Sequence, residues 1–375
     1  MADLKVAAVL EVGLIYIYSA ASIVTTWSRF LHTFKFQQYY WAKVPFKPTA
    51  SLRPSAMFPF ITLEEHYVSA ASKGLSHDPF VGFPSQLVKK LECLDDKRLQ
   101  DMDSGDVSLQ VVSHGPVDAP PSVCAKANDE LALAISKNPD RLAGFALLPM
   151  EEPIAAAAEL VRCVNDHGFV GTLIDNHLKG QFYDDERFWP VFETAQELDV
   201  PVYIHPTFAT EDMLKHYQGN YSKDVATMLS AFGWGWHAET GLHILRLYAS
   251  GLFDKFPKLK IIIGHMGELL PFQLGRICPQ SGRLGTHKRG LQEVWECNIW
   301  VTTSGMFSLA SLACLLKTTS IEHVLYSVDY PFSTNERGKE FVAEIQKSGL
   351  MNDRELEMFA FKNAETLLKV EARHR

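Results

Sequence analysis

Residues 58–66 read Phe58-Pro59-Phe60-Ile61-Thr62-Leu63-Glu64-Glu65-His66, an apolar, β-rich run that ends on two carboxylates and an imidazole. Seven runs of similar character follow it: 107–113 (VSLQVVS), 142–148 (LAGFALL), 169–174 (FVGTLI), 200–204 (VPVYI), 260–264 (KIIIG), 299–303 (IWVTT) and 323–328 (HVLYSV). Between them lie amphipathic stretches such as 128–137 (NDELALAISK), 152–166 and 185–198 (DERFWPVFETAQEL), with apolar residues at three- and four-residue spacing. Strands alternating with helices predict βα units around a parallel sheet, and eight of them predict an α/β chain built as a (β/α)8 TIM barrel. Several runs are almost wholly apolar, as strands covered on both faces must be. Residues 211–237, rich in Tyr, Trp and Phe, read as an insertion after strand five that roofs the barrel mouth.

The chain has 375 residues, 47% of them hydrophobic and 21% charged, which is enough apolar material for one large core. A formal net charge of -8, spread along the chain, offers no basic face for a phosphate backbone and excludes nucleic acid as an expected partner. Cys93, Cys124, Cys163, Cys278, Cys297 and Cys314 form no CxxC pair and read as reduced thiols, mostly buried. The expected domains are an N-terminal extension, 1–56, and a barrel domain, 57–375. Residues 6–27 approach the length and apolarity of a membrane span, but Glu11 interrupts them and no signal cleavage pattern follows. That segment is open between a membrane anchor, an amphipathic helix on the barrel, and an over-extended reading frame whose natural start is Met57. The expected location is cytoplasmic, with membrane association through residues 6–27 left open.

Metal-competent residues stand just beyond the carboxyl ends of four predicted strands: Glu64-Glu65-His66 after the first, His205 after the fifth, His265 to Glu268 after the sixth and Asp329 after the eighth. In a parallel barrel these ends share one face, so residues far apart in sequence converge. Alternation along a strand puts Glu64 and His66 on one side and Glu65 on the other. Carboxylate and imidazole suit one divalent ion, Zn or Mn, and three or four such ligands with an open position describe a catalytic site. His237, Glu239 and His243 do not have HExxH order, and their segment reads as a barrel helix. His177 reads as a solvated loop histidine. No glycine-rich phosphate loop and no GxSxG elbow is present.

The segments LEEH (63–66), IHP (204–206), GHMGE (264–268), TTSG (302–305) and SVDYPF (327–332) together resemble the decarboxylase branch of the amidohydrolase superfamily, which includes γ-resorcylate, 2,3-dihydroxybenzoate and 5-carboxyvanillate decarboxylases. The likeness runs through residues 58–370. It implies Glu64, His66, His205 and Asp329 as metal ligands, with His265 and Glu268 as a pair beside the substrate. It also implies that Arg276 reaches into a neighbouring subunit's site in a homo-oligomer, a dimer or tetramer, although Gly275 stands where relatives often carry tryptophan. The chain opens with Glu64-x-His66 rather than His-x-His and follows strand four with Asp175-Asn176 rather than lysine, which favours one metal over two. The implied reaction is loss of CO2 from an ortho-hydroxylated aromatic acid, giving a phenol. Asp329 would protonate the ring carbon, and His265, held by Glu268, would manage the phenolic proton. Phe208, Tyr217, Tyr221, Phe232 and Trp234 are candidates for flat walls around the ring, with Phe208 and Trp234 taken as substrate-binding. The alternative is a lactonase-like hydrolase of the same superfamily, with Asp329 as base.

Overall fold

The computed structural model describes residues 59–73, 75 and 83–373, and in it eight parallel strands pair in chain order. They are β1 (Phe60–Tyr67), β2 (Val107–His114), β3 (Leu142–Ala146), β4 (Gly171–Asp175), β5 (Val202–His205), β6 (Ile261–Ile263), β7 (Ile299–Thr302) and β8 (Val324–Leu325). Each overlaps one of the eight runs. Ile261, Ile262 and Ile263 are all fully buried, because helices cover the outer face of the sheet and side chains fill its interior. The helices stop where their sequences tell them to. Helix Pro153–His167 starts with proline in its first turn and ends on Gly168 in the left-handed conformation, φ 69°.

One boundary differs from expectation. Glu64, Glu65 and His66 lie inside β1 rather than beyond it. The strand runs on because the register against β2 shifts between Leu63 and Glu65, leaving Glu64 as the extra residue of a bulge with φ 67°. That bulge frees Glu65 to close the barrel. Its carboxylate accepts the backbone N–H groups of Val328 (3.0 Å) and Tyr330 (2.9 Å) and the Ser327 hydroxyl (3.2 Å). The His66 N–H donates to the Tyr330 carbonyl (2.6 Å), and the Ser327 hydroxyl donates to the Leu63 carbonyl. A side chain thus supplies much of the hydrogen bonding between β1 and the segment after β8.

The insertion after β5 contains helices Glu211–Leu214 and Lys223–Ser230, and its last residues already belong to helix Gly235–Ala249, which packs Thr240, His243, Ile244 and Leu247 inward. Of the six cysteines only Cys124 and Cys163 are buried and Cys297 is exposed, so the expectation of mostly buried thiols does not hold. All six are free. Among the described residues no helix is long and apolar enough to cross a membrane. The segment 6–27 and the expected 1–56 extension lie outside the described residues.

Candidate active site

Glu64 is the centre of the cluster at the barrel mouth. The bulge turns its carboxylate inward, and Oε2 is taken by the hydroxyls of Tyr203 on β5 and Ser304 after β7. Tyr203 in turn hydrogen-bonds Thr302 at 2.7 Å. Room for this arrangement exists because residue 264 is glycine: a Cβ there would come within 2.7 Å of Glu64 Oε2. The other oxygen, Oε1, is buried without a hydrogen-bond partner, and so is His66 Nε2.

These unpartnered atoms lie beside further donors. His205 Nε2 is 3.2 Å from Glu64 Oε1, and His66 Nε2 is 3.4 Å from Asp329 Oδ1. One donor atom each from Glu64, His66 and His205 falls within 4.8 Å of the others. Two bonds of about 2.1 Å meeting near a tetrahedral or octahedral angle place their donor atoms roughly 3.0–3.4 Å apart, so these spacings suit a divalent ion. Orphaned, buried carboxylate and imidazole atoms are costly unless something occupies the space between them. The donor set fits such an ion.

A second group adjoins the first. His265 Nε2 is 3.6 Å from Glu64 Oε1, while its Nδ1 is 2.7 Å from Oε1 of Glu268, three residues further on. The contact depends on an unusual backbone: His265, Met266, Gly267, Glu268 and Leu269 all have positive φ, between 48° and 89°. Four of the five carry side chains, so the turn is strained, and such strain persists where the surrounding structure fixes it. Glu64, Ser304 and Asp329 share this conformation, with φ of 67°, 38° and 65°.

Electrostatics separates the groups. Burial opposes ionisation of Glu64, but the charge of His265 and the imidazoles of His205 and His66 beside it outweigh burial and hold the carboxyl low. Burial, and then the Glu64 carboxylate, push Asp329 well above the usual carboxylate range. Glu268 is drawn down to about 2 despite burial, by His265 and His237, and His265 is raised to about 10 despite burial, by Glu268 and Glu64. A cation among Glu64, His66, His205 and Asp329 would favour the ionised form of every carboxyl near it.

Several expected residues sit elsewhere than the sequence suggests. Trp234 is 54% exposed, and Trp236 takes its place, 5.1 Å from Phe208, 5.5 Å from Phe232 and 6.4 Å from the His205 ring, centroid to centroid. Tyr221 is also exposed, and the Tyr217 hydroxyl donates to Glu239 at 2.9 Å. His177 is buried, not solvated; its Nδ1 accepts the Gly180 N–H, and it lines a cavity of about 200 Å³ with Asp175, Tyr183 and Phe208. Arg276 is exposed on helix Leu270–Ile277. His243 is structural, bridging Asn176 and the Tyr183 N–H. His237, set aside with it on sequence grounds, reaches Glu268 Oε2 at 2.7 Å.

Residues 80–370 match the amidohydrolase family. The chain belongs to that family. Among its amidohydrolase relatives, decarboxylase orsB of Emericella nidulans is 48% identical over 83% of this chain and 97% of that protein. A gamma-resorcylate decarboxylase of Polaromonas sp. is 32% identical over 83% of this chain and 98% of its own length. Among solved structures, the 2,6-dihydroxybenzoate decarboxylase from Rhizobium superposes with a TM-score of 0.73 at 30% identity, covering 83% of this chain and 99% of that one. The dihydroxybenzoic acid decarboxylase of Polaromonas sp., with manganese and the inhibitor 2-nitroresorcinol bound, gives 0.72 at 31% identity, covering 83% and 97%.

Proposed function

We propose that this amidohydrolase is a metal-dependent, non-oxidative carboxy-lyase that removes CO2 from an ortho-hydroxylated aromatic carboxylic acid and releases a phenol. The observation that carries the reading is the convergence of Glu64, His66 and His205 around shared, unpartnered donor atoms, with Asp329 beside them. These four residues would hold one divalent ion, manganese or zinc, and the manganese-bound relative supports the first. Bound there, the ion would supply Lewis-acid stabilisation of the substrate's carboxylate and phenolate oxygens.

The protein's own groups do the rest. Asp329 takes up a proton from the substrate's own hydroxyl or a neighbouring group and passes it to the ring carbon; the bond from that carbon to the carboxylate breaks, CO2 leaves, and the electron pair returns to the ring. One proton is consumed per turnover. His265, oriented through Nδ1 by Glu268, presents Nε2 to the reacting side and manages the phenolic proton. Phe208 and Trp236 offer faces against which an aromatic ring can lie. The relatives named as decarboxylases, matched along nearly their whole length, favour this reading over a lactonase-like hydrolase.

The reading includes a homo-oligomer, dimer or tetramer, in which Arg276 reaches a neighbour's site. Phe272, 81% exposed on the same helix, supports it. It also includes a barrel domain over 57–375 preceded by an extension, and a cytoplasmic location. To test it, the protein is supplied with Mn or Zn and incubated with 2,3-dihydroxybenzoate, γ-resorcylate and orsellinate while CO2 is followed. Release from at least one acid, abolished by a chelator, is expected. Opening of a lactone with no CO2 from any acid would overturn the assignment.

A further inference from the structure

Glu268 holds two histidines, not one. His265 Nδ1 lies 2.7 Å from Oε1 and His237 Nδ1 lies 2.7 Å from Oε2, so both oxygens of a fully buried carboxylate are occupied. The imidazole rings meet edge to face, 4.8 Å between centroids. Contacts of 2.7 Å are those of charge-assisted hydrogen bonds, which explain the cluster without a second ion between these groups. We propose that His237 is a positioning residue for the decarboxylation: by filling the second oxygen of Glu268 it fixes that carboxylate against His265, and so holds His265 with Nε2 toward the metal cluster. The inference rests on the function proposed above.

A glutamate carboxylate turns freely about its last bond unless both oxygens are held. With one oxygen released, Glu268 can rotate away from His265, and the imidazole loses the acceptor that sets its orientation. The fold brings His237 into reach by a close approach of helix Gly235–Ala249. Gly241, one turn after His237 on the same face, lies against the backbone of Glu268, and a Cβ there would come within 2.6 Å of the Glu268 carbonyl oxygen. The Nε2 atom of His237 makes no hydrogen bond among the described residues, and 12% of the side chain is exposed. Its grip on Glu268 is therefore the one polar contact of its side chain among those residues, and an edge of the ring reaches the surface.

Three variants test this: His237→Ala, His237→Asn, whose amide can donate from nearly the position of Nδ1, and Glu268→Gln for comparison. His237→Ala should lower kcat by roughly 10- to 100-fold, the range seen when the partner that orients a functional imidazole is removed, with KM, metal content and melting temperature close to wild type. His237→Asn should recover most of the loss, and millimolar imidazole should partly rescue the alanine variant. A kcat within twofold of wild type for His237→Ala overturns the proposal, as does a loss that follows metal content or folded fraction, or that asparagine does not repair. If the wild type releases no CO2 from any acid, the functional reading fails by itself. A crystal structure of His237→Ala then decides the positioning role, with Glu268 turned from His265 supporting it and both side chains unmoved refuting it.

Discussion

Tyr203 and Ser304 occupy one oxygen of Glu64 so that the other is presented alone to the cluster. Removing the phenolic hydroxyl in Tyr203→Phe leaves every proposed ligand in place but leaves Ser304 alone to hold that carboxylate, which is then less firmly oriented. We expect metal affinity to fall about 10- to 100-fold, as for other groups that orient a ligand, with little change in folding. Metal titration by calorimetry on the variant reads this directly; wild-type affinity would show that the hydroxyl does not position Glu64. Tyr203 is within reach of the sequence, since it stands two positions before His205 on a strand and so faces the same side. The four proposed ligands are legible for a simpler reason, that these metal-competent side chains stand at the ends of three of the eight runs. His237 is not legible, because helical periodicity tells which face is buried and not which end of the helix meets the barrel mouth. The choice between Trp234 and Trp236 fails likewise, because both lie at the start of one helix and only packing decides which turns inward.

At the scale of elements, the order and type of the eight strands follow from apolar runs separated by amphipathic stretches, and these survive errors of a few residues at their ends. What the pattern does not give is the closure between β1 and β8. Alternation correctly sends Glu65 away from Glu64 and His66, but its destination depends on the bulge at Glu64 and on the backbone after β8. Glu65→Ala would strip two buried N–H groups, those of Val328 and Tyr330, of their acceptor. At about 1–3 kcal/mol for each buried group left unsatisfied, the variant should lose roughly 2–6 kcal/mol of stability, seen as a lower urea midpoint. The same change should weaken metal binding, because Asp329 lies between the two N–H groups that Glu65 holds. An unchanged midpoint would mean that other contacts close the barrel.

For the whole molecule, Arg276 and Phe272 leave a guanidinium and a large aromatic ring exposed on one helix, and an assembly would cover both. If Arg276 serves a neighbour's site, then a subunit lacking it is deficient only because its partner lacks it too. The variants Arg276→Ala and Asp329→Asn should each be nearly inactive alone, the first for want of the partner's arginine and the second for want of its own carboxyl. Mixed into one dimer, the Arg276→Ala subunit keeps Asp329 and receives an intact arginine from the other, so one site in two is complete. With random pairing half the dimers are mixed, and about a quarter of wild-type activity should return after the two proteins are unfolded and refolded together, but not when they are combined without exchange. Activity that stays at the sum of the two separate variants would show that Arg276 acts within its own chain or not at all. Complementation near a quarter would instead tie the site's function to the assembly, which neither β-strand pattern nor ligand spacing within one barrel can do.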